Sequence, residues 1–277
     1  LSKIFAVANQ KGGVGKTTTC VNLSASLVAN KRRVLLIDLD PQGNATMGSG
    51  VDKSELQLSS YDVLASLLPP RKAIVPTASG YDLMPANIDL SAAEVELLEM
   101  DGRESRLRQA LEQISEDYDY IIIDCPPSLN MLTVNALCAA GGVLIPMQCE
   151  YYALEGLSSL IDTITQVQQA ANPNLKIEGI LRTMYDPRNS LTGDVSEQLS
   201  EYFGDRLYRT CIPRNVRLAE APSFGKPALD YDRNSKGAIA YLALAGEITR
   251  RHAAGQSSNQ NSSNHNSNGS RPVAEAV

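Results

Sequence analysis

Residues 9–19 read NQKGGVGKTTT, a glycine cluster with a lysine on either side of it. Its end, Gly15-Lys16-Thr17, satisfies the last part of the phosphate-loop pattern G-x-x-x-x-G-K-[ST]. In a loop that follows a strand and opens a helix, the N–H groups of Gly12, Gly13, Val14, Gly15 and Lys16 can turn toward phosphate oxygens. The helix N-terminus adds its partial positive charge. Lys16 would neutralise the β- and γ-phosphates, and the Thr17 hydroxyl would ligate Mg²⁺, with Thr18 beside it in the same site. The pattern asks for a glycine where this chain has Gln10, and Lys11 comes next. A phosphate loop does not need that second lysine.

Two carboxylate positions supply what a nucleotide hydrolase would require besides the loop. Asp124 ends the apolar run YIIID and is placed like a Walker-B aspartate, holding Mg²⁺ directly or through water. Asp38 and Asp40 end another run, LLIDLDPQGN. Alternate strand residues share a face, so both can point toward the phosphates. Asp40, further out and followed by Pro41, is the better placed to position an attacking water and to share the metal.

These residues need a scaffold, and the apolar pattern provides one. KIFAVAN, RRVLLIDLD, YDLMPAN, DYIIIDCPP, GGVLIPMQ, LKIEGILRTMYD and RLYRTCIP read as strands. KTTTCVNLSASLVAN, ALEGLSSLIDTITQVQQAAN and SKGAIAYLALAGEITRRH read as helices between and after them. Continuous apolar strands indicate burial on both faces. The alternation predicts an α/β fold with a single doubly wound, mostly parallel sheet and helices on both faces. Ligands of such sheets bind beyond the carboxyl ends of the strands.

Composition narrows the function class. The chain has 277 residues and a formal net charge of −6, which argues against a generally basic nucleic-acid binder. Residues 89–119 alone carry −7, leaving the rest near +1, so the acidity reads as one solvated helical stretch and other surfaces are free to be locally basic. No run of 18 apolar residues is present, which excludes a membrane-spanning helix and gives no membrane partner. The N-terminus enters a strand at once, leaving no room for a signal peptide. Five cysteines with no C-x-x-C spacing read as reduced thiols, and a cytoplasmic location follows. Residues 1–254 form the expected ATPase domain. Residues 255–277, rich in Ser, Asn and Gln, read as a disordered tail.

Five segments together, KGGVGKTTT, LLIDLDPQGNAT, YIIIDCPPSL, QCEYYALEGL and IPRNVRLAEAPSFGKP, resemble the ParA/Soj family of chromosome- and plasmid-partitioning ATPases. These belong to the deviant Walker A group of P-loop NTPases, related to MinD. The resemblance covers roughly residues 2–252. It implies an ATP hydrolase that uses ATP and Mg²⁺, forms an ATP-sandwich homodimer on nonspecific DNA, and is released by hydrolysis. A ParB-type centromere-binding protein would stimulate that hydrolysis at the nucleoid.

The resemblance gives the surplus lysine a task. In this family Lys11 would cross a dimer interface to the phosphates of the other subunit's ATP, binding there and stabilising transition-state charge. It would do so as a loop lysine with few partners in its own chain. Pro213 and Asn215 match adenine-lining positions, with Met184 packing nearby. Arg188 and Arg217 match positions that contact DNA phosphates, although residues 180–236 hold nine Lys+Arg against eight Asp+Glu. Tyr151 and Tyr152 would lie near the nucleotide and dimer face or pack a helix entry. Cys125 reads as a structural thiol. The alternative functions are a MinD-like membrane-cycling ATPase, which would need a basic amphipathic terminal helix, and a P-loop synthetase or reductase, which would need a substrate pocket or cluster cysteines.

Overall fold

The computed structural model describes residues 2–150 and 153–265. In chain order the strands are β1 (Lys3–Val7), β2 (Val34–Asp38), β3 (Val75–Pro76), β4 (Asp82–Met84), β5 (Tyr120–Asp124), β6 (Gly142–Gln148), β7 (Lys176–Tyr185) and β8 (Leu207–Pro213). The helices are α1 (Lys16–Ala29), α2 (Asn44–Gly48), α3 (Ser60–Ala65), α4 (Leu90–Glu96), α5 (Arg106–Glu112) and α6 (Met131–Ala139). They continue with α7 (Ala153–Ala170), α8 (Ser190–Phe203), α9 (Val216–Glu220), α10 (Ala228–Tyr231) and α11 (Lys236–His265).

The strands form one sheet in the order β3-β4-β2-β5-β1-β6-β7-β8, parallel except for the edge pair β3–β4. Alternation along each strand divides the core in two. Leu35, Ile37, Ile121 and Ile123 face one layer, where α3, α4, α5, α6, α7 and α8 supply Leu64, Leu90, Leu107, Leu132, Leu160 and Leu199. Leu36, Ile122, Phe5 and Val7 face the other, against Leu23 and Leu27 of α1 and Leu244 and Ile248 of α11. Every residue of β2 and β5 is buried, as the unbroken apolar runs require.

Several local features depart from the sequence pattern. The acidic stretch is not one helix: Gly102 takes φ 66° and separates α4 from α5, because Asp-Gly favours a left-handed turn over helix continuation. The short antiparallel edge β3 has too few residues to show a period. Helix α8 is an addition to the elements expected from sequence: Leu191, Val195 and Leu199 recur at four-residue spacing, and the Asn189 side chain caps it by accepting the Leu191 N–H. Helix α11 carries through His265, past the compositional boundary at residue 254.

One backbone contact ties distant segments. Gly50 (φ +82°) sits against Gly225 (φ +60°), and a Cβ on Gly50 would lie 2.8 Å from the Gly225 carbonyl oxygen. Gly50→Ala therefore meets both a left-handed backbone and a main-chain clash. It should lower unfolding stability by about 1–3 kcal/mol, read as a reduced denaturation midpoint. An unchanged midpoint would show that the two segments part without cost.

Candidate functional site

Parallel pairing lines up the ends of three central strands. Val7 of β1 and Asp38 of β2 both register with Asp124 of β5, so the glycine loop, which follows β1, emerges beside two buried carboxylates. Gly13 and Gly15 adopt φ 73° and 87°, conformations that glycine enters without a Cβ penalty. Nothing lies within 4 Å of where a Cβ would project from Gly12 or Gly13. The loop is held from outside: Thr183 Oγ1 donates to the Val14 carbonyl at 2.8 Å, Asn9 Nδ2 donates to the Pro146 carbonyl at 2.8 Å, and the Lys11 N–H donates to Asn9 Oδ1 at 2.9 Å.

Lys16 is 8% exposed and its Nζ donates to the Lys11 carbonyl at 3.3 Å. Burial pulls its pKa down, against the opposing charges of Asp124 and Asp40. Asp124 is fully buried. Its Oδ1 accepts the Cys20 thiol at 3.4 Å, and the Thr17 side chain is near enough to oppose the rise in the carboxyl pKa. Its Oδ2 has no partner. Desolvation first, and the neighbouring Asp38 charge second, push the Asp124 pKa well up. A buried carboxylate with an uncommitted oxygen, beside a threonine hydroxyl, offers the oxygen donors suited to a hard divalent cation such as Mg²⁺.

Asp38 does not face this space. Its Oδ2 accepts the Thr46 N–H at 2.8 Å and the Thr46 hydroxyl at 2.7 Å, and its Oδ1 accepts the Asp40 N–H at 3.1 Å. It anchors the turn after β2, and the expectation that it points at phosphates with Asp40 is corrected. Its pKa is also raised by burial, an effect these hydrogen bonds oppose. Asp40 itself is half-buried, with Oδ1 accepting the Gln42 N–H at 2.9 Å.

Two cavities adjoin the loop. One of about 180 Å³ brings Thr18, Met184, Pro213 and Asn215 together with Gly15. The Asn215 Oδ1 is buried without a partner. Met184 holds φ 47°, a left-handed conformation unusual for a long side chain, and its sulfur receives Gln148 Nε2 at 2.9 Å. The other cavity, about 250 Å³, is lined by Lys11, Val14 and Gln148.

A model of the AAA domain family matches residues 2–177. An uncharacterized protein of Pseudomonas putida is 68% identical, over 91% of this chain and 96% of that one. The sporulation initiation inhibitor protein Soj of Bacillus subtilis is 54% identical, over 90% of this chain and 98% of Soj. The chain belongs to the ParA/Soj family. Among solved structures, cobyrinic acid a,c-diamide synthase of Mycobacterium smegmatis with bound ADP and magnesium superimposes with TM-score 0.81. It is 42% identical and covers 92% of this chain and 97% of that one.

The ParA/Soj signature lysine is not idle in this chain. Lys11 Nζ pairs with Glu150 Oε2 at 2.6 Å, with the two side chains 39% and 51% exposed. A single exposed ion pair is in keeping with a lysine that has few partners in its own chain. Arg188 is chelated by Asp186 through Nε and Nη2 at 2.9 and 2.7 Å. Arg217 pairs with Glu220 at 2.8 Å and Asp232 at 3.2 Å. Tyr151 and Tyr152 lie outside the described residues. Cys125 is buried, and no group of three or more metal-ligating His, Cys, Asp or Glu occurs among the described residues. Sequence reasoning missed Thr183, Thr46 and Cys20, because short polar side chains inside apolar runs leave no periodic signal.

Both Asp38 and Asp124 hold a proton more tightly in the folded chain than in the unfolded one, where carboxylates titrate near about pH 4. Their ionisation therefore opposes folding, and stability from these groups is lost as pH rises from that point through the raised folded values. Without nucleotide or magnesium, the melting temperature should rise on going from pH 8 to pH 6. Asp124→Asn should flatten that slope and raise the melting temperature at pH 8. A slope unaltered by the substitution would remove Asp124 as its source.

Proposed function

We propose that the chain is a DNA-partitioning ATPase that converts ATP to ADP and phosphate and uses the nucleotide to gate its own dimerisation. The observation that carries this reading is the placement of two lysines on one phosphate loop. Lys16 is buried inside the site, while Lys11 stands at its rim, held among the described residues by a half-exposed carboxylate. The N–H groups of Gly12 to Lys16 receive the phosphates, and Lys16 neutralises them. Thr17 and Asp124, with Asp40, hold Mg²⁺. Bound there by these residues, Mg²⁺ would supply charge stabilisation for phosphoryl transfer. Asp40 also orients the attacking water. Thr18, Met184, Pro213 and Asn215 receive the adenine.

Lys11 leaves Glu150 for the phosphates of the other subunit's ATP. Exposed ion pairs are weak, and a triphosphate in a closing, desolvated interface is the stronger acceptor. The dimer then binds DNA through backbone phosphates at Arg188 and Arg217, without base reading and with strong salt dependence. Hydrolysis, stimulated by a ParB-type centromere-binding protein, returns the chain to a monomer in the nucleoid-bearing cytoplasm. The ATPase unit is residues 1–254, and residues 255–277 are an appendage to it.

The M. smegmatis synthase is a lesser likeness in sequence than Soj, 42% against 54%. Among the described residues no helix is long and apolar enough to cross a membrane. A MinD-like reading requires instead a surface-seeking terminal helix.

Asp40→Ala should accumulate as an ATP-bound dimer and bind nonspecific duplex DNA with ATP but not with ADP. Its affinity should fall linearly on a log–log salt plot. No DNA binding by a confirmed ATP dimer would overturn the partition reading, and liposome binding by that dimer would favour the membrane-cycling one.

Lys11→Ala should keep nucleotide affinity and remain monomeric with ATP in sedimentation. A normal ATP-dependent dimer would refute the role given to Lys11.

A further inference from the structure

We propose that Cys20 is a positioning residue for Asp124, setting the rotation of the carboxylate on which the magnesium assignment rests. This deepens the reading above and depends on it. Cys20 is fully buried on α1 among Phe5, Val7 and Leu23, a setting that by itself calls only for an apolar side chain. Its Sγ nevertheless lies 3.4 Å from Asp124 Oδ1.

Thr17 and Cys20 are three residues apart on α1, so both face the strand that carries Asp124. The Asp124 backbone is fixed between β1 and β2 by the register of Val7 and Asp38. The remaining freedom is rotation of its side chain. Cys20 engages Oδ1 and leaves Oδ2 as the buried oxygen without a partner. A thiol suits this place physically. It is a weak donor, so it orients the carboxylate while withdrawing little of the charge a cation needs. It is also apolar enough to sit in the core, where a hydroxyl would be penalised.

The positioning role and a packing role predict opposite rankings for two substitutions. Cys20→Ala removes the donor and keeps an apolar group, whereas Cys20→Ser keeps a donor and places a hydroxyl in the core. The experiment titrates Mg²⁺ into the full chain with a fluorescent N-methylanthraniloyl ATP and reads the Mg²⁺ concentration at half-maximal binding. The nucleotide-free melting temperature is measured in parallel.

Loss of a residue that orients a metal-binding side chain typically costs tenfold or more in metal affinity. Cys20→Ala should therefore need about tenfold more Mg²⁺, while Cys20→Ser stays close to wild type in Mg²⁺ but melts lower. Cys20→Val, which also lacks the donor and leaves less of a cavity, should repeat the alanine result. An unchanged Mg²⁺ midpoint in both Cys20→Ala and Cys20→Val would overturn the proposal, as would a midpoint that tracks melting temperature across the series. A wild-type chain whose nucleotide binding ignores Mg²⁺ would overturn the magnesium assignment and this proposal with it.

Discussion

The site depends on the cost of ionising a buried carboxylate at the centre of the sheet. Asp124 is fully buried at the end of β5, and Asp38 is its register neighbour on β2. Two carboxylates at adjacent strand ends cannot both ionise cheaply away from water. The chain answers the two differently. Asp38 is saturated by Thr46 and the Asp40 N–H, so it acts as a structural anchor. Asp124 is left with one oxygen unengaged and a raised pKa. Lys16 is the nearby cation, yet its own burial works against its charge. The loop, the lysine and the two aspartates therefore form an arrangement whose electrostatics are completed by what binds there.

The fold was legible because the forces that build it leave periodic marks. Unbroken runs such as YIIID and VLLID announce strands covered on both faces, and both are fully buried. The phosphate loop was legible for a different reason: only glycine reaches the φ values of Gly13 and Gly15 easily, so the backbone geometry is written into residue type. What could not be read was pairing. Nothing in QCE says that Glu150 meets Lys11, 139 positions away. Nothing in YDPRN or NVRLAE says that each arginine already has a carboxylate. Long-range polar contacts depend on where the topology brings chain segments, which local pattern does not encode. The acidic stretch shows the converse error, in which a composition suited to a helix was broken by the single residue Gly102.

The surface cations share a common design. Lys11, Arg188 and Arg217 each hold a carboxylate of their own chain in this structure. A protein with net charge −6 that exposed all three unpaired would attract polyanions regardless of nucleotide state. Pairing lowers that background attraction while leaving the cations recoverable, since water and salt already screen such pairs. A polyanion presents several charges at once, whereas each intrachain carboxylate presents one.

The turn after β2 and the arginine segment are also joined mechanically. Asp40 begins the turn that Asp38 anchors, which leads into α2 and then Gly50. Gly50 packs backbone to backbone on Gly225, a few residues beyond Arg217 and α9. Both glycines hold left-handed conformations, so the contact has little room to slide. Main-chain contacts of this kind transmit displacement because no flexible side chain absorbs it. The turn that begins at Asp40 is thus tied, through this contact, to the stretch that follows the segment bearing Arg217. The turn after β2 and the arginine-bearing segment are therefore parts of a single packed unit.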